Sequence, residues 1–203
     1  MLLQKRLKPY TLILASQSPR RRQLLADAGF EYTLAERFEC EERYPADLAA
    51  AEVAPYLSRL KSEAYPWALA EKEILLTADT VVIAAGRVLG KPADRVGAVE
   101  MLHLLSGCAH EVVTGVTLRS ATRSETFAAH SSVRFRRLTD EEIAYYVDRY
   151  KPLDKAGSYG IQEWIGYVGI EGIEGSFYNV MGLPVQRLYC ELEAFLDGEQ
   201  QAR

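Results

Sequence analysis

A short apolar run, Leu12-Ile13-Leu14-Ala15, stops at Ser16, and a helix signal follows it at once. Tyr10 to Ala15 predicts a buried strand. Ser18 at an N-cap and Pro19 at the first helical position then open a helix over Pro19–Ala28, with Gly29 placed to end it. Glu31 to Phe38 predicts a second strand running into the acidic corner Glu39-Cys40-Glu41-Glu42. Asp47 to Ala70 is helical in composition but interrupted at Pro55 and Pro66. Ile74 to Ile83 is apolar and β-branched without polar alternation, which predicts a strand covered on both faces. Gly86-Arg87 reads as a hairpin turn that returns Val88-Leu89. Beyond it come a helix over Val96–Leu105 and two strands, Glu111–Leu118 and Thr126–Phe135. Thr139-Asp140-Glu141-Glu142 is a capping box that opens a helix to Tyr150, and an amphipathic helix over Val185–Leu196 closes the chain. Between them, Lys151 to Pro184 holds seven of the fourteen glycines and predicts turns and close backbone approaches. No repeat or linker divides the chain, so one compact α/β unit with a cleft is the economical architecture.

Chemistry enters where polar residues interrupt this pattern. Arg20, Arg21 and Arg22 crowd the first turn of the first long helix, where each cation costs about 0.3–1 kcal/mol against the helix field. A strand end, the hydroxyls of Ser16 and Ser18, a helix N-terminus and guanidinium forks together describe a phosphate cradle. Lys61 falls on the apolar side of its helix with Leu57, Leu60 and Ala64. It either snorkels to the edge or points into a cleft as a point charge for phosphate. Asp79 interrupts a buried strand and needs a cation, hydrogen bonds or a raised pKa, unless it only caps a turn before Thr80. Lys91 sits between a Gly and a Pro on a fixed loop, and Gln162 carries a donor–acceptor amide suited to a base edge.

Charge and composition narrow the partners. Among 203 residues the formal net charge is −4, which argues against general nucleic-acid binding. Cys40, Cys108 and Cys190 are odd in number and isolated, which fits a reducing cytoplasm. The N-terminal apolar run is too short for a signal-peptide core or a membrane span. His103, His110 and His130 form no ligand pair and read as structural, which leaves acid–base and metal chemistry to carboxylates and lysines.

Six segments, SQSPRR at 16–21, TADTVV at 77–82, GKP at 90–92, LSG at 105–107, DKAGSYGIQ at 154–162 and EGSFYNVMGLPV at 174–185, together resemble the Maf (septum-formation inhibitor-like) family of nucleoside triphosphate pyrophosphatases. The resemblance spans nearly the whole chain as a single domain, 1–203, of two lobes. It implies a mixed twisted sheet with flanking helices and a deep central cleft, inosine-triphosphatase-like. It implies hydrolysis of a nucleoside triphosphate to the monophosphate and pyrophosphate with Mg²⁺ or Mn²⁺, in the cytoplasm, by a homodimer. AGSYGIQ is similar to the branch acting on dTTP and UTP. Carried over by position, Asp79 is the proton acceptor; Arg20, Thr80 and Gln162 tune base choice; Ser16, Arg21, Lys61 and Lys91 face the phosphates. Glu42 and Asp154 are the companion metal ligands. The family's acidic pair reads Asp-Glu, whereas here it is Glu41-Glu42, and Glu42 is the choice. The rival reading is a non-catalytic nucleotide-binding regulator of cell division.

Overall fold

The computed structural model describes residues 1–201, with side chains through Gly198. It is a mixed α/β fold with a central mixed sheet flanked by helices. The elements are α1 (Leu3–Leu7), β1 (Thr11–Leu14), α2 (Pro19–Asp27), β2 (Thr33–Leu34), α3 (Ala50–Glu63), β3 (Glu73–Ala84), β4 (Arg87–Leu89) and α4 (Arg95–Leu105). They continue as β5 (Ala109–Arg119), β6 (Ser124–Phe135), α5 (Asp140–Tyr150), a 3-10 turn (Ala156–Ser158), α6 (Trp164–Gly169), β7 (Ile170–Glu174), α7 (Phe177–Met181) and α8 (Val185–Gln201). The sheet has the order β2-β1-β3-β5-β6-β7, with β4 paired on β3. Among the described residues no helix is long and apolar enough to cross a membrane.

The chain divides into two compact units. The first is Met1–Asp79, Thr114–Ala129 and the segment from Gly182 on; the second is Thr80–Val113 and His130–Met181. β3, β5 and β6 each contribute residues to both.

In the first unit β1 runs parallel to β2 and to β3, in register Ile13↔Thr33 and Ile13↔Leu75. The second strand is thus two residues long, not the eight expected from Glu31 to Phe38, because only Thr33 and Leu34 find partners on β1. The expected break at Pro55 does not occur either: α3 runs through it. Ser58 donates from its hydroxyl to the Pro55 carbonyl at 2.9 Å. At the same point β5 comes in close, and a Cβ built on Gly115 would lie 2.3 Å from the Ala54 carbonyl carbon and the Pro55 nitrogen. A proline brings no N–H to this crowded contact, so no donor is left unsatisfied there. Buried hydroxyls fasten the helix to the sheet. Thr77 Oγ1 donates to the Ser58 carbonyl at 2.6 Å, and Ser58 Oγ lies 2.9 Å from Thr117 Oγ1.

In the second unit β3 and β4 form a hairpin, Val82↔Leu89 to Ala84↔Arg87, whose two-residue loop is Ala85-Gly86, one position earlier than expected. Both loop residues have positive φ (49° and 73°), the backbone that such a tight turn requires. The Thr139–Glu142 capping box forms as the sequence predicts. Arg136 grips Glu142 with two nitrogens, at 3.0 and 2.6 Å, and holds its carboxyl down at about 2. The Gly-rich stretch yields four short elements that the periodicity did not predict. At the other end α8 runs to Gln201, past Leu196.

His110 lies in the core of this unit, edge-on to Phe135 and Tyr159, with its Nε2 2.7 Å from the Tyr159 hydroxyl. Its Nδ1 is buried with no hydrogen-bond partner among the described residues. Burial pushes its pKa down to about 4 from 6.5. Between those two values the unfolded chain binds a proton that the folded chain refuses, so stability is full above the upper value and falls as pH drops through the window. Urea unfolding at pH 7 and at pH 5 is expected to differ by about 2 kcal/mol from this group. That difference disappears in His110→Gln. Glu142 does not blur the test, because its contribution is lost only below the ordinary carboxyl range.

Candidate active site

Three segments of the first unit meet at one cluster of charge. The loop after β1 supplies Ser16, and the start of α2 supplies Arg20 and Arg21. Ser18 occupies the N-cap with extended backbone, but its side chain makes no capping bond; instead its N–H donates to Ser16 Oγ at 3.3 Å. Arg21 turns inward. Its Nε donates to the Gly182 carbonyl at 2.8 Å, and its Nη1 to the Ala78 carbonyl at 2.9 Å and to Ser16 Oγ at 3.2 Å. Burial lowers its pKa most, and the neighbouring Arg20 lowers it further, while Asp79 and Glu42 act in the opposite sense. Arg21 therefore works as a bracket that fixes the backbone on either side of the helix start.

That bracket holds β3 at Ala78, one residue before Asp79. Thr77 holds it from the other side through α3. Asp79 is thus placed by two backbone anchors and is itself 9% exposed. Lys61, in the last turn of α3, resolves its alternatives by pointing at it: Nζ makes an ion pair with Asp79 Oδ1 and a second, at 3.1 Å, with Glu42 Oε2. Glu41 pairs instead with Arg43 at the surface, at 2.8 Å. Of the acidic corner, Glu42 is the residue that reaches the cluster. One ammonium held by two carboxylates is electrostatically sound. A carboxylate this shielded from water is costly unless paired.

Cys40 was not among the residues singled out by sequence, and its thiol senses the same charges. Burial pushes its pKa up, Lys61 pulls it down, and Glu42 and Asp79 raise it again. It is a protonated thiol beside a carboxylate pair, and so a poor nucleophile.

The second unit holds the other sequence-predicted residues. Thr80 continues β3. Lys91 is exposed in the loop after β4, and the neighbouring Gly90 carbonyl accepts from the Gly157 N–H at 3.1 Å, which ties that loop to the 3-10 turn. Asp154 is largely exposed and pairs with Lys155 at 2.7 Å. Lys155 is the surprise, at 7% exposed, with a second partner in Glu163 at 3.0 Å. Gln162 follows in the next turn. Its Oε1 is buried and has no hydrogen-bond partner among the described residues.

No group of three or more His, Cys, Asp or Glu that could hold a metal occurs among the described residues. Glu42 and Asp79, joined through Lys61, are nonetheless two hard oxygen donors. That set fits a cation of the Mg²⁺ kind, which takes one or two carboxylates and completes its shell with water and substrate phosphate. Asp154 belongs to the other unit and lies against Lys155.

A family model described as Maf-like protein matches residues 11–195. The dTTP/UTP pyrophosphatase of Bacteroides thetaiotaomicron is 54% identical over 187 residues, which cover 92% of this chain and 97% of that protein. The dTTP/UTP pyrophosphatase of Parabacteroides distasonis is 51% identical, covering 93% of this chain and 98% of that protein. The enzyme of the same name from Porphyromonas gingivalis is also 51% identical, covering 93% and 96%. A solved HAM1 protein from Coxiella burnetii superposes with a TM-score of 0.47 at 14% identity, covering 91% of this chain and 99% of that one.

Proposed function

The chain belongs to the Maf family, and from that premise we propose that it hydrolyses dTTP and UTP to the monophosphate and pyrophosphate. The observation that carries the chemistry is the Lys61 ammonium held between Asp79 and Glu42, beside a helix start fixed by Arg21. A triphosphate brings about four negative charges, which must be balanced before a nucleophile approaches phosphorus. Arg20, Lys61, Lys91 and the N–H groups at the start of α2 are the donors suited to that task. Ser16 and Arg21 shape the turn from which they act.

Asp79 accepts the proton of the attacking water as oxygen bonds to the α-phosphorus and the bond to the bridging oxygen breaks, with pyrophosphate leaving. Lys61 keeps the Asp79 carboxylate oriented, and its charge suits it to balance the charge that builds on the leaving group. Glu42 and Asp79 are the residues that would hold Mg²⁺ or Mn²⁺, with Asp154 the further carboxylate the family pattern offers. When bound, the cation supplies Lewis-acid neutralisation of the phosphate oxygens. Arg20, Thr80 and Gln162 choose the base. The names of the relatives support the two pyrimidine substrates, and the free thiols of Cys40, Cys108 and Cys190 support a cytoplasmic setting.

The test is product analysis. Purified protein with Mg²⁺ or Mn²⁺ and each common nucleoside triphosphate is expected to release pyrophosphate and monophosphate from dTTP and UTP. Orthophosphate release would assign a different scissile bond. Turnover restricted to purine nucleotides would remove the role given to Gln162. Tight binding without product under either metal would favour a regulator.

A further inference from the structure

Gln162 sits in a turn that is held by Tyr146 and Glu163, which lie outside the six segments quoted above, and by Lys155 within one of them. Tyr146, wholly buried on α5, donates its hydroxyl hydrogen to Glu163 Oε2, and its own hydroxyl oxygen accepts the Gly160 N–H at 3.0 Å. Burial, reinforced by that bond to Glu163, pushes the Tyr146 hydroxyl far above the usual phenol range, so it stays a donor. The other oxygen of Glu163 takes Lys155 Nζ at 3.0 Å. The Glu163 N–H returns to the Gly160 carbonyl, also at 3.0 Å. Gly160 is therefore gripped at both its N–H and its C=O.

Space is tight at the same point. A Cβ on Gly160 would lie 2.8 Å from Glu163 Cδ and 3.0 Å from Gln162 Nε2. The Gln162 amide and the Glu163 carboxylate thus both lie over one α-carbon, which only a glycine leaves room for. Gln162 also lines a groove of about 340 Å³ with Ile161, Tyr167, Ile170 and Phe177. An amide oxygen buried without a partner relaxes onto a protein donor when its turn is loose. Here it stays open. Thymine and uracil present an imide N–H to such an acceptor, whereas cytosine presents a ring nitrogen acceptor at that position.

We propose that Tyr146, Glu163 and Lys155 are positioning residues that hold the Gly160–Gln162 turn so that the Gln162 amide discriminates pyrimidines by the protonation of their N3 edge. This inference rests on the base-reading role of Gln162 given above. A buried Lys–Glu pair adds little stability of its own, but it fixes geometry once every polar atom in the network has a partner.

The test compares kcat/KM for dTTP and dCTP in the native enzyme, Gln162→Ala, Tyr146→Phe and Glu163→Gln, each checked for a cooperative thermal melt. Tyr146→Phe and Glu163→Gln are expected to lower the dTTP/dCTP ratio by about ten-fold, through the KM for dTTP more than through kcat. Gln162→Ala lowers it at least as far. Adding Tyr146→Phe to Gln162→Ala then lowers it no further, because both act through one amide. General weakening of the fold slows both substrates alike and leaves the ratio in place. If Gln162→Ala shifts the ratio while folded Tyr146→Phe and Glu163→Gln keep it within about two-fold, the network is only structural and the inference is overturned. If Gln162→Ala leaves the ratio unchanged, the base-reading role fails first and takes this inference with it. Should Tyr146→Phe fail to fold, Glu163→Gln decides alone, since it keeps the side chain's size and an acceptor for the Tyr146 hydroxyl.

Discussion

Asp79→Asn is expected to lower kcat for dTTP by about 10²- to 10⁴-fold, the range that a lost general base commands, with a far smaller change in KM. Asn keeps the shape and one oxygen for Lys61, so α3 stays docked and the variant folds. What it loses is the charge proposed to accept a proton and one of the two carboxylates on the ammonium. Glu42→Gln separates the roles. Glu42 is half-exposed where Asp79 is buried, so its loss is expected to cost less than that of Asp79 and to act mainly on the metal concentration needed for half-maximal rate. Titrating Mn²⁺ against both variants reads this directly. An Asp79→Asn enzyme with native kcat at saturating Mn²⁺ would show that Asp79 serves the cation and not the water.

Gly115→Ala is expected to be the most damaging substitution of a single methyl group outside the site. The new Cβ would stand 2.3–2.4 Å from backbone atoms of Ala54 and Pro55, which have no rotamer to give. Either β5 or α3 must move. Overpacking of this kind costs about 1–3 kcal/mol, and contact with backbone puts this case at the upper end or beyond. For a chain of this length the melting temperature should drop by about 6–12 °C. The displacement also reaches the site, since α3 carries Lys61 in its last turn. Gly115→Ala should therefore lose activity below its melting temperature as well. Gly90→Ala, where a built Cβ meets nothing within 4 Å, is the control. A Gly115→Ala protein that melts with the native one would show that the helix yields freely at Pro55.

How much of this was legible in the sequence depends on whether an element's partners are local. β3 announced itself through an unbroken apolar run because it is covered on both faces, and the α5 capping box because all its groups lie within four residues. The continuity of α3 did not show, because Pro55 is tolerated thanks to a strand some sixty residues further on. α6, β7 and α7 were hidden for a related reason. β7 exists by pairing with β6, and α7 is anchored by Asn179, whose Nδ2 donates to the Val112 carbonyl and to Ser131 Oγ. In the site, Asp79 and Lys61 could each be found from the cost of burying a charge. The contact of Lys61 with Glu42 could not, since Glu42 comes from a long segment without regular structure. Three consecutive arginines looked alike. Only the fold distinguishes Arg21, which faces carbonyls, from its neighbours. Lys155 was visible as a neighbour of Asp154, and its link to Glu163 and Tyr146 was not.

The Arg21 bracket has a consequence for the order in which the protein is made. Three of its acceptors, Ser16, Ala78 and Gly182, are spread along almost the whole chain. During synthesis the basic start of α2 emerges early, and the Ala78 acceptor follows. The Gly182 carbonyl arrives only near the end, together with the last segment of the first unit. The bracket therefore closes on all three only once that last segment has been made.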